Sequence, residues 1–181
     1  SVGRDDVETR GGKRTGVLGG AASYFSVAAS FLAPPRMVAV VGTDFPAEHT
    51  ALFEKHGVDL TGLERVPGET FRWSGVYSAD FMNRTTLETK LNVFSDFRPK
   101  LPSGWGTSDF VFLAKIDPQL QFNVLEQAGK PKVFACDAMN LWSSGRRPAL
   151  LRRLQEVDMV VRNGEAARSG AGRFGDPAKE A

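Results

Sequence analysis

Two adjacent glycines open the run 19–32, GGAASYFSVAASFL, and no other stretch narrows the choice of fold as much. Small and apolar residues fill the run, as in a helix packed closely against its neighbours. Glycines at the start of such a helix let another group come near the backbone. The unsatisfied N–H groups and positive dipole end there suit a polyhydroxylated or anionic ligand. A plainer role stays open, in which Gly19 and Gly20 simply turn the chain into a core helix.

The flanking segments bear on that choice. Pro34-Pro35 stops the helix. Residues 37–41 (MVAVV) are a short continuous apolar run, expected of a strand buried on both faces in a parallel sheet. Gly42-Thr43-Asp44 follows at the carboxyl end of that strand, where open α/β sheets place their ligands. Pro46 suits the first position of the next helix, with Asp44 near its cap, and Gly57 ends it. Upstream, Gly11-Gly12 predicts a turn before a strand over 15–18. Asp5 reads either as a carboxylate at the tip of a worn strand or, with Asp6, as a solvated turn residue.

Residues 71–97 break the pattern. Phe71, Trp73 and Tyr77 alternate with Arg72, Ser74 and Val76, and Leu87, Thr89, Leu91 and Val93 alternate after a turn signal around Met82-Asn83-Arg84. This predicts an antiparallel β excursion within an α/β chain. So small a sheet is not stable alone, so it is read as a lid over a site, as a dimerisation flap, or as both. A βα rhythm then resumes, with strands predicted at 110–114, 132–136 and 157–161 and helices at 118–128 and 148–156. Polar residues follow these strands: Asp117, Asp137, Asn140, and Arg162-Asn163-Gly164-Glu165. From Ser169 onward no periodicity survives, and 169–181 is read as a loop or tail.

Composition excludes several function classes. A formal charge of +2, with Arg and Lys scattered among acids, offers no stripe for a phosphate backbone, so no nucleic-acid partner is expected. The single cysteine, Cys136, rules out an internal disulfide and a cysteine-rich zinc site, and two histidines make a histidine metal site unexpected. No apolar run reaches membrane-spanning length, so no membrane partner and a cytoplasmic setting are expected. The chain begins without methionine, in polar residues, and a fragment of a longer protein is expected.

Asp5, LGGAASYFSVAASFL, VAVVGTDF, GVDLTGL, the aromatic flap, ACDAMN and VVRNGEA stand in an order that resembles the PfkB (ribokinase-like) carbohydrate and nucleoside kinases, over about residues 1–165. The resemblance implies a Rossmann-like parallel sheet with helices on both faces (residues 1–168), a β lid at about 70–98, and an N-terminal portion of the whole fold. It implies transfer of a phosphoryl group from ATP, with Mg²⁺, to a hydroxymethyl group of a sugar or nucleoside; the reading of 71–97 as a flap adds a homodimer through the lid as an expectation. On it, Asp5 takes substrate hydroxyls, Gly19 and Gly20 are the di-glycine of the sugar signature, and Gly42 and Asp44 match the family's G-x-D. Phe71, Trp73 and Asn92 fall in or beside the lid, and Asp137, Asn140, Asn163 and Glu165 near phosphate, with Glu165 indirectly at the metal.

Three departures qualify the match. Tyr24 stands where the signature has asparagine, and a phenol donates one hydrogen bond where an amide donates two. Asn163 to Glu165 is one residue short of the family's N-x-x-E. The C-terminal GAGD motif, with its anion hole and general base, has no clear counterpart, so no catalytic residue is assigned. Plainer roles remain open: Phe71 and Trp73 as the packed face of the lid, Asp137 and Asn140 as caps, Asn92 as a cross-strand hydrogen bond. The other functional class is a non-catalytic sugar- or nucleoside-binding or dimerisation module. A nicotinamide oxidoreductase lacks its G-x-G-x-x-G here.

Overall fold

The computed structural model describes residues 1–81, 83–137 and 157–161, in two compact units, Ser1–Arg98 and the residues from Pro99 onward. The predicted helix 148–156, Met82 and the tail 169–181 lie outside the described residues.

In the first unit, strands β1 (Gly3–Thr9) and β2 (Gly12–Gly19) form a hairpin that leads straight into helix α1 (Ala21–Ala29). Strand β3 (Arg36–Gly42), helix α2 (Ala47–Lys55) and strand β4 (Asp59–Val66) make a parallel βαβ unit. Val40 and Val41 are successive residues of β3, so they point to opposite faces, and both are buried. The strand is therefore covered on both sides, as its unbroken apolar run requires. Val2, Met37, Ala39, Val41, Phe45, Phe53 and Val58 form the core, with Ala22 and Val27 of α1 packed against it.

Helix α1 is shorter than the apolar run suggests. It ends at Ala29, and Phe31 and Leu32 are exposed. Pro34 supplies no N–H and disfavours helical backbone before it, so the chain unwinds ahead of the proline pair.

Strands β5 (Arg72–Tyr77) and β6 (Arg84–Lys90) form the expected antiparallel hairpin. Leu91 and Val93 are not part of β6, because a 3-10 turn over Asn92–Phe94 begins there, with Asn92 at φ 49°. The hairpin does not stand alone: β5 pairs in parallel with β1, giving one four-stranded sheet in the order β2-β1-β5-β6. The inner edge of β5 carries unpaired N–H and C=O groups, and β1 satisfies them. The lid thus includes the first strands of the chain, and Asp5 and Asp6 are strand residues within it, not turn residues.

The second unit is a parallel sheet of β7 (Phe110–Leu113), β8 (Val133–Asp137) and β9 (Met159–Val161), with helix α3 (Pro118–Gln127) between the first two strands. Asp117 caps α3 by accepting from the Gln119 N–H at 2.9 Å, and Pro118 takes the first helical position. Leu113, Ala128, Phe134 and Cys136 form its core, and Cys136 is a buried thiol.

Candidate ligand site

Asp5 sits where three chain segments meet. It pairs with Val17 of β2 on one side and with Trp73 of β5 on the other. Its carboxylate occupies the space that a side chain at Gly19 would need, since a Cβ there would run into Asp5 itself; at Gly3 a Cβ would strike the Phe71 ring at 2.7 Å and lie in ordinary contact with Oδ1 at 3.4 Å. Gly19 therefore makes the niche, and Gly3 admits the Phe71 ring. Burial is the largest influence on this acid; the Trp73 N–H opposes it and Asp6 adds to it, and the pKa is pushed up to about 6. Oδ1 is buried and has no hydrogen-bond partner among the described residues. A buried carboxylate oxygen with no donor is costly, so it is a natural acceptor for a ligand's hydroxyl.

Gly20 caps α1 at φ 91°, a backbone region that favours glycine, and a Cβ there would lie 2.5 Å from the Ser1 carbonyl. That carbonyl accepts from the Ala22 N–H at 2.9 Å, so the start of the chain already satisfies part of the helix end. Ser23 Oγ donates to the Gly19 carbonyl at 2.7 Å and fixes the turn from β2 into α1.

Tyr24, one helical turn beyond Gly20, is 68 % exposed. Desolvation first, then the Asp5 carboxylate and then Tyr77, raise its phenol pKa. The aromatic residues of β5 divide between two roles. Phe71 is buried and meets Phe94 edge-on at 5.5 Å between ring centres, which makes it part of the packed layer. Trp73 is only half-buried; its indole lies over Gly75, and its Nε1 donates to Thr86 Oγ1 at 3.1 Å.

Gly42 and Asp44 belong to a separate network. Asp44 does not cap α2, whose cap residue is Pro46 and which has no side-chain cap. Instead Asp44 Oδ1 accepts from the Thr70 N–H (2.7 Å) and hydroxyl (2.6 Å), and Oδ2 accepts from Arg4 Nη1 (2.8 Å). The Gly42 N–H donates to the same Thr70 hydroxyl at 2.9 Å, and a Cβ at Gly42 would strike the backbone at Gly68. Desolvation works against the Asp44 charge, but Thr70 and then Arg4 outweigh it and hold the pKa below the usual carboxylate range. Both oxygens are engaged because three segments (the end of β3, the approach to β5, and β1) converge on one short acid. Asn92 is likewise not on the second lid strand: from the 3-10 turn its Nδ2 donates to the Thr70 carbonyl at 2.9 Å.

On the other face of β1, Asp6 accepts from the Gly16 N–H at 2.8 Å and from Arg72 at 2.8 and 3.2 Å. Alternation along the strand thus sends Asp5 and Asp6 to opposite faces. Asp6 and Arg72 make a sheet-surface ion pair, and Asp5 alone faces the niche.

In the second unit, Asp137 ends β8 and lies 3.5 Å from Lys115 Nζ. Gln121 of α3 is 1 % exposed, and its Nε2 donates to the carbonyls of Leu113, Ala114 and Asp137. It ties together the carboxyl ends of β7 and β8. Asn140, Asn163 and Glu165 lie outside the described residues.

Sequence reasoning missed Gly3, Arg4, Thr70 and Gln121. A glycine two residues before Asp5, on the same face of a strand, is a readable sign of close approach. The others carry no local signal.

A small β sheet together with parallel βα units is the fold of the ribokinase-like α/β kinases. Solved structures with this fold include a nucleoside kinase of Burkholderia thailandensis in complex with inosine (TM-score 0.74, 16 % identity, 97 % of this chain and 63 % of that one). A fructokinase of Xylella fastidiosa matches with TM-score 0.70 and 17 % identity over 99 % of this chain and 63 % of that one. The ribokinase of Giardia lamblia gives 0.70 and 16 % over 97 % and 60 %. The chain therefore spans less than two thirds of the length of these kinases. No family model and no curated protein matches the sequence. None of the helices among the described residues is long and apolar enough to cross a membrane.

Proposed function

We propose that this chain carries the substrate-binding and lid part of an ATP-dependent kinase that phosphorylates a hydroxymethyl group of a sugar or nucleoside. One observation carries the reading: the half-buried carboxylate of Asp5, whose buried Oδ1 has no partner among the described residues, beside the glycine start of α1 and in the sheet that forms the lid. An ionised carboxylate accepts from two adjacent hydroxyls, and those bonds replace the water lost on burial. Gly19 keeps the niche open, Gly20 lets the Ser1 backbone close on the helix start, and Tyr24 and Trp73 are proposed to border the niche. Gly42, Asp44 and Asn92 act one step away, by holding the segment between β4 and β5 in place. Asp137, Asn140, Asn163 and Glu165 are proposed on the phosphate side.

ATP and Mg²⁺ enter from the likeness of fold. Among the described residues no group of three or more His, Cys, Asp or Glu side chains is arranged to hold a metal ion, and Asp137 lies beside a lysine. Nothing described here supplies a base for the hydroxyl proton.

The test is an ATP-dependent phosphorylation panel of sugars and nucleosides on the full-length protein, with binding measured by calorimetry. Asp5→Ala is expected to weaken the accepted ligand by roughly ten-fold or more, the effect of losing charge-assisted hydrogen bonds. If no sugar or nucleoside binds, the reading fails.

A second reading, a non-catalytic binding or dimerisation module, is favoured by the lid's outer edge. Strand β6 is exposed along its whole length and, among the described residues, pairs on one side only, with β5. An unpaired edge is a template for a strand from a second copy. Light scattering on the purified protein tests the homodimer, and sugar-dependent ATP turnover eliminates the non-catalytic reading.

A further inference from the structure

Thr70 is 2 % exposed, and every polar group it carries is engaged. Its N–H donates to Asp44 Oδ1, and its carbonyl accepts from Asn92 Nδ2. Its Oγ1 accepts from the Gly42 N–H at 2.9 Å, so the single hydroxyl proton is left to Asp44 Oδ1, at 2.6 Å. Gly42 ends β3, and Thr70 lies two residues ahead of β5. One hydroxyl therefore ties the end of the βαβ unit to the start of a lid strand.

What lies downstream of that tie is Asp5. The Arg4 N–H donates to the Phe71 carbonyl at 2.9 Å, and from this rung the parallel register sets Trp73 beside Asp5. Burial raises the Asp5 pKa and the Trp73 N–H opposes it; Asp6 adds to the rise, and the Tyr24 phenol of α1 feels the same charge. From the other side, Arg65 of β4 donates from Nη1 to the carbonyls of Gly42 (3.2 Å) and Phe45 (2.9 Å), and its guanidinium stands 5.9 Å from the Phe45 ring centre. The turn that bears Asp44 is thus braced on both sides, and Thr70 is the part of the brace that reaches the lid.

We propose that Thr70 is a positioning residue for the ligand-binding carboxylate, fixing through Gly42 and Asp44 where β5 starts and hence where Trp73 meets Asp5. This rests on the reading of Asp5 as the carboxylate that takes ligand hydroxyls. A valine fills the same volume but neither accepts from Gly42 nor donates to Asp44, so it keeps the packing and loses the alignment.

The test follows the Asp5 carboxyl by carbon-13 NMR titration in the full-length protein, its signal identified by its loss in Asp5→Asn, with calorimetric titration of ribose and inosine alongside. In Thr70→Val, Asp5 is expected to titrate higher, by roughly 0.5 or more on the pH scale, as the Trp73 N–H moves away. A bound probe is expected to weaken roughly five-fold or more. Thr70→Ser keeps the hydroxyl and is expected to restore most of both losses. Phe53→Leu weakens the same core without touching the network and is expected to leave the Asp5 titration unchanged and affinity within about two-fold. Arg65 is exposed, so Arg65→Ala, with the same effects in smaller measure, keeps the test valid if Thr70→Val fails to fold. An Asp5 titration that stays put in these variants, or that Phe53→Leu moves equally, overturns the proposal. Binding of neither probe overturns the role of Asp5 in ligand binding, while the titration still decides whether Thr70 sets its position.

Discussion

Replacing Asp5 with asparagine should stabilise the protein at neutral pH while weakening its ligand. Burial raises this acid from 3.8 to about 6. At 1.36 kcal/mol per pH unit, ionising it in the folded state costs about 3 kcal/mol, or about 2 kcal/mol after allowance for the solvent that still reaches the side chain. The sign follows from the two states. Below about 3.8 the acid is neutral in both, and no cost arises. Between 3.8 and about 6 the unfolded chain is ionised and the folded one is not, so stability falls as pH rises through that window. Above it the penalty is constant. Urea unfolding of both proteins at several values from pH 4 to 8 measures this directly. The variant is expected to gain about 2 kcal/mol relative to wild type between the ends of that range and to bind sugar hydroxyls less well at pH 7.5. A wild-type-to-variant difference that stays constant across the range refutes the assignment of a buried, costly carboxylate at Asp5.

Gly19→Ala forces a methyl group into the Asp5 carboxylate; a loss of about 1–3 kcal/mol in thermal or urea unfolding is expected, together with loss of ligand binding. Arg4→Ala removes a 2.8 Å ion pair to Asp44 whose side chains are 29 % and 30 % exposed, so a cost of about 1 kcal/mol is expected at pH 7. The folded pKa of Asp44 is lowered, so its stabilisation is present above the unfolded value and fades as pH falls through the folded one; the Arg4→Ala effect should fade with it, and a double cycle with Asp44→Asn checks the coupling. Gln121→Leu leaves three strand-end carbonyls without their buried donor, and unfolding should become easier by about 1–3 kcal/mol.

Much of the architecture is written locally. The unbroken apolar stretch of β3, the Asp117-Pro118 start of α3 and the alternation of β5 each predict their element, and all three occur. Each is legible because burial repeats with the period of the element that is buried. The site is less so. Asp5 could be placed on a strand or in a turn from its neighbours alone, since the short, polar β1 has no apolar period of its own. Asp44 stands where a helix cap belongs, and only Thr70 and Arg4, 26 and 40 residues away, draw it elsewhere. Asn92 sits in an alternating stretch, yet the chain turns at that residue and sends its amide to Thr70.

By itself, then, the sequence determined the kinds of elements, their order, and the glycine start of the helix beside which the ligand is proposed to sit. Those follow from backbone sterics and from which side of each element must be apolar. Only the tertiary structure decided that the first strand joins the lid, that Asp5 is half-buried with its Oδ1 out of solvent while its neighbour Asp6 is ion-paired on the opposite face, and that Trp73 lies over Gly75. Parallel pairing of β1 with β5 joins residues nearly seventy positions apart, and nothing in either strand's own pattern specifies its partner. The pairing is set by the backbone groups each strand leaves unpaired and by the apolar surface that docking removes from water.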